Sequence, residues 1–283
     1  MIRTHKMRLA LAVAVMTLAA PAAQAQFGLV SESQELQAGR EADAQIRQKY
    51  RVSSDPTMNR LVQTLGNDLA AVSERPNIPW TFRVLDSEEL NAFSVPGYVY
   101  MTTATIRAAR GDRDMIAGVF AHEIGHTTGK HAVKQMEKGT IGNLLLGTLL
   151  GRSGSTVKAL GGLAANLVML GYSRGDENDA DKRAVDYMIR AGYDPNGLVR
   201  FFDMLNQKGG SSAGGVMTYF RTHPPTGDRI SRVKQEIAKH GGSSSGMAYR
   251  RYPEEESRTI RQRQLREQRL RQQRLRELQR RYR

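Results

Sequence analysis

The chain has 283 residues, 40% of them hydrophobic, and a formal net charge of +14. It contains no cysteine, which excludes a thiolate nucleophile, a cysteine-ligated metal and any disulfide. The charge is uneven: residues 1–25 carry +3 and 258–283 carry +9, so only about +2 remains for 26–257, and the high total says little about a central site.

Residues 1–25 read as a secretory signal peptide. Arg3, Lys6 and Arg8 make the basic start, Leu9 to Ala20 the apolar run, and Ala23-Gln24-Ala25 the cleavage site. Gln26 cannot take the lipid that a cysteine there would accept. The expectation is a periplasmic protein, free or membrane-associated. Its folded domain should run over 26–240, followed by a Gly/Ser linker to 257 and a basic tail.

Within that domain Ser31 to Tyr50 reads as a polar helix docked on one face, and Asp55-Pro56 opens a second helix. Trp80 to Leu85 alternates as a strand does. Asn91 to Val95, the turn Pro96-Gly97 and Tyr98 to Met101 read as a hairpin, giving a small antiparallel sheet. Asn91, Ala92 and Phe93 are either an ordinary edge strand or a strand on which an extended peptide substrate can lie. Thr102 to Arg110 is a short helix, and Gly111-Asp112 opens another.

That next helix carries His122-Glu123-Ile124-Gly125-His126, an H-E-x-x-H pattern. Four residues rotate a helix by about 40°, so His122 and His126 project together and can hold one zinc ion. Glu123 lies on the same side, where it can act as general base. Ile116, Val119, Phe120 and Ile124 form an apolar stripe beside this face, so the helix should be buried with its ligands turned inward.

Residues 139–171 are rich in Gly and Leu, divided by Arg152 and Lys158 into pieces too short to span a bilayer. A lid over the cleft, a core helical hairpin and a membrane-surface patch are the readings open. Beyond them a helix is expected from about Glu177 to Ala191, another after Asp194-Pro195, and a last one from Ile230 to His240.

A catalytic zinc takes three protein ligands and a water. His131 stands five residues past His126, one residue short of the metzincin spacing, and about 140° around a continuing helix. It is better placed to support a ligand histidine, or as a structural residue, than to be a ligand. Glu177 is the stronger candidate. Glu177 and Asp181 sit on one stripe of their helix above Ala184 and Met188, where acids call for a cation. Glu177 would bind zinc and Asp181 would hydrogen-bond a ligand histidine; the plainer alternative is an acidic first turn favoured by the helix dipole. His223 reads as an extra ligand, an oxyanion stabiliser or a turn residue. Arg229 reads as an oxyanion or substrate-carbonyl donor, or again as part of a turn.

These residues resemble the zinc metallopeptidase family of the CAAX prenyl protease and HtpX, particularly its soluble exported BepA- and LoiP-like members. The segments that carry the resemblance are NAFSVPG at 91–97, AHEIGHTTGKHAV at 121–133, ENDAD at 177–181 and THPPTGDRI at 222–230. The resemblance implies an α+β, mostly helical, gluzincin-like fold. It implies one zinc per chain held by His122, His126 and Glu177, with Glu123 as base and His223 as a gating cap on the metal. His131 matches a family histidine that is not a ligand. Asp179 stands where the family often has Glu.

The function expected is an exported zinc endopeptidase acting on unfolded or misfolded envelope proteins. The alternative is a gated chaperone or adaptor with little proteolytic activity. The tail, 258–283, carries eleven Arg and two Glu, and is either solvated or bound to an anionic surface. No specific nucleic acid is expected.

Overall fold

The computed structural model describes residues 30–138, 171–209, 219, 221–223, 228–241, 269 and 273. The expected signal peptide, nearly all of the candidate lid, the linker and all but two residues of the basic tail lie outside the described residues.

Helix α1 is Glu32–Lys49, begun by a capping box in which the Ser31 hydroxyl and the Gln34 side chain satisfy each other's backbone N–H. Helix α2 is Pro56–Ala71; the Asp55 carboxylate accepts from the Thr57 and Met58 N–H groups, and Pro56 takes a first-turn position that has no N–H to satisfy. Strands β1 (Thr81–Leu85), β2 (Ala92–Val95) and β3 (Tyr98–Thr102) follow. They lead into α3 (Thr103–Ala108) and then α4 (Arg113–Thr128), the H-E-x-x-H helix. After α5 (His131–Lys138), the described chain resumes before α6 (Arg174–Ala191), α7 (Asn196–Gly209) and α8 (Arg229–Lys239).

The sheet is mixed, which corrects the antiparallel expectation. Strand order is β1-β3-β2. β2 and β3 form the antiparallel hairpin about Pro96-Gly97, with Gly97 at φ 82°, but β1 pairs parallel to β3. Alternation identifies a strand and not its partner. The segment 86–91 lets β2 take the outer lane, and its hairpin brings β3 back beside β1.

Alternation then divides the sheet between two apolar layers. Phe93, Val95 and Tyr100 face α1 and pack with Ala38, Ala42 and Ile46. Val84, Ala92, Val99 and Met101 join the main core with α2, α4, α6 and α7. Parity also turns Ser94 toward α4, where its hydroxyl donates to the Glu123 carbonyl at 2.9 Å.

α4 is buried along nearly its whole length. Two glycines let other helices close on it. A Cβ at Gly118 would lie 2.9 Å from the Leu198 Cα in α7, and one at Gly125 would lie 3.0 Å from the Ala180 carbonyl oxygen in α6. The second approach matters for function, because it brings the first turns of α6 alongside His122 and His126.

Candidate metal centre

α6 starts earlier than its acidic stretch suggests. Ser173 and Asp176 form a capping box ahead of it, so Glu177 already stands within the helix. From there Glu177 faces α4, and one turn later so does Asp181. His223 reaches the same point from the segment before α8. His122, His126, Glu177 and His223 are all buried, each offering one donor atom within 4.8 Å of the others.

The spacing fits a tetrahedral metal. Zinc–nitrogen and zinc–oxygen bonds of about 2.0–2.1 Å place tetrahedral ligands roughly 3.3 Å apart. His122 Nε2 lies 3.0 Å from His126 Nε2 and 3.3 Å from His223 Nδ1. Glu177 approaches His223 Nδ1 at 3.0 Å and each of the other two Nε2 atoms at 3.5 Å. Charge points the same way. Glu123, Glu177 and Asp181 are buried acids and Arg229 is the buried guanidinium among them. Fully ionised, this set lacks two positive charges, which a divalent ion supplies. Glu123 Oε1 and His223 Nε2 are buried, make no hydrogen bond among the described residues and face each other at 3.3 Å beside this point.

The ring nitrogens facing away are held. His122 Nδ1 lies 2.9 Å from Asp181 Oδ1, so the imidazole N–H points at the carboxylate and the Nε2 lone pair faces the cluster. His126 Nδ1 lies 2.9 Å from His131 Nδ1. Burial alone would push His122 down, but its hydrogen bonds to Asp181 and Glu177 outweigh that and carry it up to about 9. The field that strengthens its hold on a proton would equally favour a metal ion. Burial would raise Glu177, yet the nearby His223 and the hydrogen bonds from His122 and His126 hold its carboxyl well below the usual range. Burial raises Glu123, and the proximity of His223 and His122 offsets this only in part. The Ser94 hydroxyl stands 3.3 Å from Glu123 Oε2.

Arg229 is held among the acids of the cluster. Its fork donates to Asp181 from Nε at 2.9 Å and from NH2 at 2.7 Å, while NH1 pairs with Glu177 Oε2 at 2.8 Å. The guanidinium also lies over the Phe202 ring, 4.3 Å from its centroid. Burial would lower Arg229; Asp181 and Glu177 reverse that. Its chemistry here is to neutralise two acids and hold them in register, which a turn read from sequence does not reveal.

His131 does not join the four donor residues. The helix stops at Gly129, Lys130 takes a left-handed φ of 54°, and the new helix returns His131 onto the outer side of His126. Asn91 and Ala92 are buried where the hairpin begins. Phe93 is turned away from the cluster and stacks on Tyr100, 4.8 Å between centroids. Only the β2 backbone edge, free of a described strand partner on its outer side, passes the site.

Several contributors had no clear sequence signal. Tyr172 stacks on His126 at 3.9 Å and Tyr219 on His223 at 4.8 Å. Neither belongs to a spaced pattern. Asp179 lies 3.0 Å from His131 Nε2, although it stands off the Glu177–Asp181 stripe. Ser94 was legible in principle, from its parity with Ala92.

The model of peptidase family M48 matches residues 56–237. The beta-barrel assembly-enhancing protease of Escherichia coli is 28% identical over 189 residues, covering 62% of this chain and 38% of that protein. Metalloprotease YcaL of Escherichia coli is 26% identical over 188 residues, 63% of this chain and 68% of that one. Mitochondrial metalloendopeptidase OMA1 of Arabidopsis thaliana is 28% identical over 168 residues, 58% of this chain and 33% of that one. The chain spans 38–42% of the length of the beta-barrel assembly-enhancing proteases it matches.

Proposed function

The chain belongs to peptidase family M48, and from that premise we propose that it is a zinc-dependent endopeptidase. The observation that carries the reading is the buried set His122, His126, Glu177 and His223, with Glu123 beside it. We assign one zinc to this set, in a gluzincin-like arrangement where two ligands share α4 and the carboxylate comes from α6. When bound, zinc polarises the scissile carbonyl and makes a water nucleophilic at neutral pH.

The chain's own residues do the rest. Glu123 accepts a proton as water attacks and passes it to the departing amine. Burial raises its proton affinity above that of an exposed carboxylate, which favours taking up that proton. The Ser94 hydroxyl, between Glu123 and the β2 backbone, sets the carboxylate's position relative to a peptide lying on that edge. Asp181 fixes the His122 ring. Arg229 keeps Glu177 and Asp181 ionised and apart.

His223 acts as a gate. Its Nδ1 is a fourth donor, and its Nε2 stands 3.3 Å from Glu123 Oε1, where it crowds the base. Cleavage therefore follows its withdrawal. That closed geometry also favours a second reading, a gated chaperone or adaptor whose binding outweighs its hydrolysis.

The substrates are unfolded or misfolded envelope proteins. Two things support this: the relatives named as assembly-enhancing proteases and the signal-like segment 1–25. We assign the peptidase to 26–240 and export to 1–25. The basic tail is assigned to an anionic envelope surface.

The test is Glu123→Gln. Metal analysis should return about one zinc per chain in wild type and variant alike, while cleavage of an unfolded casein disappears in the variant. Undiminished cleavage would overturn the mechanism. If the variant also rescues an envelope-assembly defect as well as wild type, the chaperone reading prevails.

A further inference from the structure

On the reading that the buried cluster holds zinc, we propose that Asp179 and His131 form a positioning relay that selects the tautomer of His126 and thereby sets the metal affinity. Neither residue touches the metal position. Their effect passes through one imidazole into another.

The argument is a proton count. His126 Nδ1 and His131 Nδ1 lie 2.9 Å apart, so one carries the shared hydrogen and the other accepts it. If His131 supplied it, His126 would bear its own hydrogen on Nε2. That nitrogen lies 3.0 Å from His122 Nε2, inside the cluster, and would be closed to a metal. If His126 supplies it, the His126 Nε2 lone pair is free. The choice falls to the far side of His131, where Nε2 lies 3.0 Å from Asp179 Oδ2. A carboxylate only accepts, so His131 carries its hydrogen on Nε2 and must receive at Nδ1. Asp179 thus dictates the state of a nitrogen two rings away. Asp181 does the same for His122 directly. His126 has no carboxylate at its Nδ1 among the described residues and borrows one through His131.

The backbone is shaped for this relay. Lys130 is one of two described non-glycine residues at positive φ, the left-handed region that residues with a Cβ seldom adopt. That turn ends α4 and swings His131 back onto His126. Gly129 sits beneath the relay itself: a Cβ there would lie 2.5 Å from His131 Nε2 and 3.0 Å from Asp179 Oδ2. The glycine therefore leaves room for the hydrogen bond between the two. Asp179 is fixed in turn by Arg183, whose Nε donates at 2.7 Å and whose NH1 pairs with Glu74 at 3.0 Å. His131 is 1% exposed, so water cannot replace the lost partner freely.

The test compares zinc affinity, by competition with a chromogenic chelator, for the wild-type chain, Asp179→Asn, Asp179→Glu, Gly129→Ala and Arg183→Met. Losing a partner behind a ligand histidine weakens metal binding roughly 10–100-fold. That loss is expected for Asp179→Asn, and for Gly129→Ala, which removes no charge and only displaces the pair. Asp179→Glu should recover most of the affinity. Arg183→Met should change it several-fold at most, although it breaks the same ion pair to Asp179. Side-chain 15N spectra of the metal-free chain should show His126 protonated on Nδ1 in wild type and a tautomer mixture in Asp179→Asn. If wild type binds zinc and Asp179→Asn binds it equally well with an unchanged His126 tautomer, the relay is wrong and the metal site stands. If wild type and Glu177→Ala alike bind no zinc, the metal reading itself fails. Equal losses in Arg183→Met and Asp179→Asn would reduce Asp179 to a surface staple.

Discussion

Replacing Arg229 by Met tests whether this guanidinium organises the site or meets the substrate. Its side chain is 5% exposed, and Asp181 and Glu177 beside it are 3% and 1% exposed. The substitution keeps comparable bulk over Phe202 but leaves two buried carboxylates without their cation. Breaking a buried pair by removing one partner costs about 3–5 kcal/mol. For a domain of this size each kcal/mol moves the unfolding midpoint by about 2–4 °C, so Arg229→Met should melt roughly 6–20 °C lower. Arg229→Lys keeps the charge and loses the fork, and should lie between the two. Adding Asp181→Asn to Arg229→Met removes one stranded charge, so the double variant should be more stable than the sum of the single losses by about 0.5–3 kcal/mol. Thermal melts with chelator and with zinc, alongside peptide-cleavage kinetics, give both readouts. A folded Arg229→Met with an unchanged midpoint and a KM raised tenfold would refute this account and return Arg229 to the substrate.

Two further outcomes follow from the geometry. A metal that binds the folded chain alone adds about 2.7 kcal/mol at a hundredfold excess over Kd, so chelation should lower the melting midpoint by roughly 5–11 °C, and Glu177→Ala should be nearly insensitive to chelator. Asp43 gives the pH dependence. Burial would raise its carboxyl, but Arg83, Tyr100 and Arg47 together hold it below its ordinary value of 3.8. Its stabilisation is present above the unfolded-chain value of about 3.9 and disappears as pH falls through the depressed folded value. Acid titration of urea stability should therefore show Asp43→Asn weaker than wild type at pH 7 but with a shallower decline below about pH 4. Parallel curves would contradict that assignment.

How much was legible depended on whether the information was local. The α4 helix was readable because His122, Glu123 and His126 sit one turn apart beside the Ile116–Ile124 stripe, and caps at Ser31, Asp55 and Asp112 announce their helices. Glu177 was readable because acids on an otherwise apolar stripe need a cation. The partner of β1 was not, since a strand's alternation is the same whether its neighbour runs parallel or antiparallel. Arg229 stays open in the sequence between a substrate-facing donor and a turn residue, because its distance to Asp181, 48 positions away in the chain, exists only after α6 and α8 pack. His131 is legible as a support for a ligand histidine but its route is not, because the break at Lys130 replaces the roughly 140° rotation of a continuing helix with a return onto His126. Asp179 fell off the stripe for the same reason: its partner lies outside the face that α6 shows to α4.

Gly125 has a bearing on attempts to transplant this chemistry. A Cβ there would lie 3.0 Å from the Ala180 carbonyl oxygen, so any larger side group makes the two helices give by a few tenths of an ångström. A designer who copied both imidazoles and the acid into a new scaffold, but filled that intervening position with alanine, would hold the two rods apart. The donor arriving from the second rod would sit a few tenths of an ångström out of place, and the graft would grip its ion in altered geometry.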